Sequence, residues 1–278
     1  MNKLQYIFLL LPMLFLIFAC EEVGPAINLE TEVTTPQDTT TNNEVQRTVL
    51  LEEFTGVRCA NCPAGAELAQ QLANESGGRV VIISIHSSGA FALPYSGEVD
   101  FRTPQGDKIE NLLGKASGYP SAAINRNLFD GEQTPIVTST SWSKYITNQL
   151  EEAPTVDIEL TATLNNGIIE VNCALNILED IAEDVKLSVV VVEDEIVSPQ
   201  NVNSVKVDDY VHQHVFRTML TPFDGELLTT GVLAGDQLNK SYQLTEISTT
   251  WNTNKLSVVA YVHGNNLSGV YQVAKAKL

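Results

Sequence analysis

Cys59 and Cys62 are the residues of this chain best suited to covalent chemistry. They stand in Leu50-Leu51-Glu52-Glu53-Phe54-Thr55-Gly56-Val57-Arg58-Cys59-Ala60-Asn61-Cys62-Pro63, where an apolar, β-prone run leads to a Cys-x-x-Cys and a helix-like segment follows. That order suits a thiol–disulfide site. The strand end presents the first sulfur, and the unpaired N–H groups and positive dipole of a helix N-terminus lower a thiol pKa there. A second sulfur one helical turn on closes a disulfide with the first. The same spacing serves as half of a zinc site, but zinc asks for a second cysteine pair or nearby histidines. His86 is the one imidazole in this half of the sequence.

The surrounding pattern supplies the elements that must hold such a pair. Residues 64–75 read as helix, with Pro63 suited to its first turn and Gly77-Gly78 ending it. Arg79 to His86 is an apolar run of strand length, and its continuity suggests a parallel strand buried on both faces. A loop rich in Gly and Pro occupies residues 87–103. Pro104 to Lys115 can form a helix with Ile109, Leu112 and Leu113 on one side. Tyr119-Pro120 opens a short strand, a further strand lies near Pro135 to Val137, and Thr138 to Glu151 reads as a last helix. From Pro154 onward short alternating strands follow, with Asn166-Gly167 as a hairpin turn. This predicts an all-β, immunoglobulin-like sandwich of about seven strands over residues 153–278.

The ends and the composition set the context. Residues 1–19 read as a signal peptide: Lys3 gives the positive charge, and an apolar run ends at Ile17-Phe18-Ala19-Cys20. A small residue just before Cys20 resembles a bacterial lipoprotein signal, which implies cleavage before Cys20 and a lipid on it. An ordinary signal peptide or an anchor helix is the alternative. Residues 20–45 are Thr-rich and poor in large apolar groups, as expected of a disordered tether. The net charge of −18 argues against nucleic-acid partners. Cys173, on the apolar side of a strand alternation, reads as a buried small hydrophobe without a partner. His212 and His214 share a metal-like spacing but read as a solvated strand face, and Glu193-Asp194-Glu195 reads as a solvated loop.

The order and spacing over residues 46–152 resemble the thioredoxin superfamily. By that resemblance Cys59 is the attacking, more exposed thiolate and Cys62 the resolving cysteine, with Arg58 as a neighbouring cation at the substrate side. Glu53 lies where thioredoxins carry a buried acid that takes the resolving cysteine's proton; an exposed strand residue is the competing reading. Tyr119-Pro120 matches the family's cis-proline, whose loop faces the disulfide and pairs with substrate backbone. The dipeptide Ala60-Asn61 departs from the Gly-Pro of reducing thioredoxins, so the direction of electron flow stays open.

A narrower resemblance joins the lipoprotein signal to three strings. These are Glu52-Glu53-Phe54-Thr55-Gly56 running on to Cys59 and Cys62-Pro63, Gly118-Tyr119-Pro120-Ser121 with Ile124-Asn125-Arg126, and Phe216-Arg217-Thr218-Met219-Leu220-Thr221-Pro222. Together they resemble the outer-membrane protein twenty-eight family over nearly the whole mature chain. That implies an outer-membrane lipoprotein of the cell envelope, with a thioredoxin-like domain followed by a β-rich one. The expected activity is thiol–disulfide exchange at Cys59, Cys62, Glu53 and Pro120, with Tyr119 and Arg58 at the substrate. A protein thiol or disulfide is the partner, the lipid on Cys20 meets the membrane, and no metal or organic cofactor is called for. The alternative is a surface binding or adhesion module in which Cys59–Cys62 is a static disulfide.

Overall fold

The computed structural model describes residues 45–265 and 269–278. Cys20, the signal segment and nearly all of the tether lie outside the described residues. The two apolar runs form strands β1 (Val49–Thr55) and β2 (Val80–His86), buried along their whole length. They pair in parallel, Val49 opposite Val80, and helix α1 (Cys62–Glu75) makes the crossover. Pro63 sits in the first turn of α1, where a missing N–H costs nothing. Gly77 and Gly78, at φ of 68° and 84°, turn the chain back toward β2 in a conformation that favours glycine.

Helix α2 (Pro104–Leu112) is capped by the Thr103 hydroxyl, which accepts from the Gly106 N–H at 3.0 Å. Strands β3 (Ser121–Ile124) and β4 (Ile136–Thr138) and helix α3 (Trp142–Leu150) complete this half. β3 runs antiparallel to β1 and to β4. The expected order of β-α-β, then α, then β-β-α is the observed one.

The second half begins with β5 (Val156–Asn165) and β6 (Ile168–Ile177), joined at Asn166-Gly167, both at positive φ as a tight hairpin requires. The long β7 (Ile181–Glu193) follows. Next come four short strands: β8 (Ile196–Val197), β9 (Gln200–Val202), β10 (Val205–Val207) and β11 (Val211–His212). β12 (Val215–Met219), β13 (Glu226–Val232), β14 (Gln237–Leu244), β15 (Leu256–His263) and β16 (Val270–Lys277) end the chain.

The expected free-standing sandwich is corrected by the strand order. One mixed sheet runs β16-β15-β7-β12-β2-β1-β3-β4, with β13 added beside β7. Residues 46–152 and 153–278 therefore share a sheet, and the described residues form one compact unit. β12 is the joint: Val215 meets Ser84 of β2, and Phe216 pairs with Val192 of β7. The family string at 216–222 thus builds the seam. A second sheet of β14-β6-β5 packs on β7 and β15, around Val171, Leu175, Val189 and Val258. On the β1 part of the large sheet, alternation divides two cores. Val49 and Leu51 face α1 and α3, while Leu50 and Phe54 face α2. Glu53 follows Leu51 onto the α1 side, and Glu52 points the other way.

Candidate functional site at the Cys59–Cys62 turn

Cys59 and Cys62 are joined in a disulfide, with Cα atoms 5.4 Å apart. Cys62 is the first residue of α1, so the pair sits at the end of β1 and the N-terminus of the helix. Neither cysteine is open to solvent: Cys59 is 3% and Cys62 2% exposed, so the expected exposed attacking sulfur is covered in the disulfide form.

Two segments cover the turn. Residues 87–103 lie on one side. The Arg58 N–H donates to the Phe91 carbonyl, and its guanidinium donates to the Leu93 and Pro94 carbonyls, each at 2.8 Å. Gly56 lets this loop approach, since a Cβ there would overlap the Phe91 carbonyl. The β9–β10 hairpin lies on the other side and satisfies the carbonyls of five successive residues. Gln200 Nε2 donates to Gly56 and Cys59 oxygens, and Asn201 Nδ2 to that of Arg58. The Asn201 and Asn203 N–H groups donate to Val57 and Ala60. A turn that would otherwise expose orphan carbonyls is held by a segment 141 residues away in sequence.

Glu53 is 1% exposed, which excludes the exposed-strand reading. Its Oε2 accepts from the Ser84 hydroxyl at 3.2 Å, while Oε1 is buried with no hydrogen-bond partner. Burial pushes its carboxyl up to about 7, against a smaller opposing pull from Ser84. The Tyr119–Pro120 peptide is cis. Pro120 and Glu53 meet at Gly65 of α1: a Cβ on Gly65 would stand 2.6 Å from the Pro120 ring and 3.3 Å from Glu53 Oε1. Tyr119 is tied down, with its hydroxyl 2.6 Å from Ser87 Oγ and donating to Glu110 at 3.0 Å.

The structure also brings to the site residues that the sequence does not connect to the cysteine pair. His86 ends β2, is 3% exposed, and its ring lies 6.1 Å from that of His212. His212 is 5% exposed and packed among Phe101, Tyr210 and His86, which corrects its assignment to a solvated face. His214 parts from it at φ 56° and pairs with Asp194 at 2.7 Å. Cys173 is a buried free thiol in the second sheet's core, as expected. One signal for His86 was present: a polar residue at the C-terminal end of a buried parallel strand, where α/β sheets place their sites.

Fold and site together define a β-rich protein of mixed sheets with a disulfide set at a strand-to-helix turn. The chain belongs to the Outer membrane protein Omp28 family, which residues 110–278 match. It is an outer-membrane-associated protein of the cell envelope. The match begins within α2, short of the expected span, and leaves Cys59 and Cys62 outside it. In fold the chain is similar to HBP35 of Porphyromonas gingivalis, with a TM-score of 0.67 and 19% identity over 84% of this chain and 76% of that one. A protein from Agrobacterium tumefaciens superposes with a TM-score of 0.51 and 13% identity, over 84% of this chain and 96% of its own. No curated protein matches the sequence.

Proposed function

We propose that this protein is a lipid-anchored thiol–disulfide exchange protein with a thioredoxin-like N-terminal half. The reading rests on one observation: a buried carboxyl oxygen without a partner, Glu53 Oε1, beside the first turn of α1 and the Pro120 ring. In one direction, the Cys59 thiolate attacks a substrate disulfide. The Cys59–substrate bond forms as the substrate's own S–S bond breaks, and one substrate thiolate leaves. Glu53 takes the Cys62 proton. Cys62 then attacks the Cys59 sulfur, closes the intramolecular disulfide and releases the second substrate thiolate. The substrate gains the two electrons that the cysteines lose, and the reverse sequence oxidises a dithiol. The Tyr119–Pro120 loop would pair with substrate backbone, and Arg58 would stand at its edge. A lipid on Cys20 would hold the whole at the membrane.

The burial of both sulfurs favours a second reading, in which the disulfide is static and the protein is a surface binding module. Alkylation of the reduced protein against pH, with the reduction potential of the pair, separates the two. Exchange predicts a Cys59 pKa well below the free value of about 8.5 and equilibration with glutathione. A free-cysteine pKa with a disulfide inert to glutathione would sink the exchange reading.

A further inference from the structure

Glu53 is not alone in leaving a buried polar atom without a partner. His86 Nδ1 is in the same condition. Both residues line a small chamber of about 30 Å³ that Cys62, Thr55 and His212 also line. A space of that size, with the unpaired Glu53 and His86 atoms on its wall, holds one or two water molecules, and a buried water typically makes about three hydrogen bonds. The chamber adjoins a larger cavity of about 480 Å³ between α1 and residues 202–214. Glu53, Ser84 and Tyr210 line both spaces, and Cys62 lines the smaller one.

We propose that His86 and Glu53 together hold a water molecule beside Cys62, making His86 the positioning residue for the proton that Cys62 exchanges. The inference rests on the exchange reading for its role and on geometry for the pair itself. The atoms balance without a further reactant: Cys62 gives its proton to the water, the water gives one to Glu53 Oε1, and the Cys62 thiolate attacks Cys59. His86 changes no charge in this sequence. Burial, with His212 and Arg217 nearby, pushes its imidazole down to about 3, against opposing pulls from Asp100 and from a hydrogen bond to the Ser84 backbone. The neutral ring thus serves as a fixed hydrogen-bond partner. His212 of β11 and Tyr210 line the chamber with His86 and Glu53, and the charges of Arg217 on β12 and Asp100 in the 87–103 loop act on His86.

The first test uses the oxidised protein and needs no exchange. The ionisation midpoint of Glu53, followed by its carboxyl infrared band, should rise by about one pH unit in His86→Leu, because the carboxylate loses a donor. His86→Asn, which keeps a polar group on the chamber, should restore most of it. The second test follows the Cys62-dependent resolution step. His86→Leu should slow it about tenfold near pH 7 and move its pH profile with the Glu53 midpoint, with Cys59 alkylation unchanged. An unchanged Glu53 midpoint in a folded His86→Leu protein overturns the inference. A shifted midpoint in a protein that shows no exchange overturns the exchange reading and supports the water-linked pair.

Discussion

Glu52 and Glu53 are consecutive residues of one type on one strand, each 1% exposed, and they meet opposite electrostatic surroundings. On the Glu52 side the carboxylate receives two bonds from Arg126, at 2.7 and 2.6 Å, and Arg126 donates a further bond to the Tyr261 hydroxyl at 2.7 Å. That network ties β1 to the turn after β3 and to β15, across both halves of the sheet. On the Glu53 side the carboxyl has one neutral donor and a water-sized chamber. A buried charge with full partners serves the fold, whereas a buried acid left half satisfied is a candidate for moving protons. The strand's alternation sends the two side chains to opposite faces, and what packs on each face sets its role.

The largest expected effect breaks the Glu52 side. Glu52→Gln leaves the Arg126 guanidinium buried against a neutral amide and should cost about 3–5 kcal/mol. Urea unfolding at pH 7 measures it. A loss below about 1 kcal/mol, the scale of an exposed ion pair, would mean the pair is not the structural tie described. Glu53→Gln should act with the opposite sign. A carboxyl raised from 4.5 to about 7 binds its proton more tightly in the folded protein. Stability from this group is therefore complete below pH 4.5 and falls as pH rises through 7. At about 1.4 kcal/mol per pH unit, the glutamine protein should gain up to about 3 kcal/mol at pH 8 and nothing at pH 4. A difference between the two proteins that does not vary with pH would remove Glu53 from the proton-handling role.

Gly65→Ala probes the place where Glu53 meets the cis-proline. Alanine favours the helix by about 1 kcal/mol. Its Cβ meets the Pro120 ring at 2.6 and 2.7 Å, an overpacking that costs about 1–3 kcal/mol. The net should be a small loss of stability together with a displaced Glu53 midpoint. A stabilised protein with its midpoint unmoved would show that the approach of α1 to Pro120 does not set the acid's surroundings.

The sequence makes the Glu53 side more legible than the seam. β1, α1 and β2 follow from local signals: a continuous apolar run, a first-turn proline and a glycine pair. The resemblance to thioredoxins placed Glu53 and Pro120. Leu51 facing the core supported the first of these only weakly, because alternation names a face and not what covers it. The seam was invisible for a different reason. Val215 to Met219 looks like any sandwich strand, and its place between β2 and β7 is fixed by partners remote in sequence. His86 looked isolated because its neighbours His212 and Arg217 arrive from that same remote segment. The β9–β10 hairpin is hard to read because its strands are three residues each, and Gln200, Asn201 and Asn203 also bond to Gly56–Ala60, which is remote in sequence.

That hairpin gives the smallest and most local effect. Gln200 is 3% exposed, and its Nε2 reaches the Gly56 carbonyl at 3.3 Å and the Cys59 carbonyl at 3.0 Å. Gln200→Ala removes both bonds and should cost about 1 kcal/mol. The larger consequence is kinetic. Both cysteines are covered, so an exchange partner would reach Cys59 only if the 87–103 loop or the hairpin lifted. Arg58 holds the loop by two carbonyl bonds, while Gln200 anchors the hairpin at the cysteine itself. Weakening the hairpin should raise the alkylation rate of Cys59 in the reduced protein several-fold and leave the Glu53 midpoint in place. If Gln200→Ala leaves that rate unchanged while Arg58→Ala raises it, access runs from the loop side. The hairpin would then serve only to satisfy the turn's carbonyls.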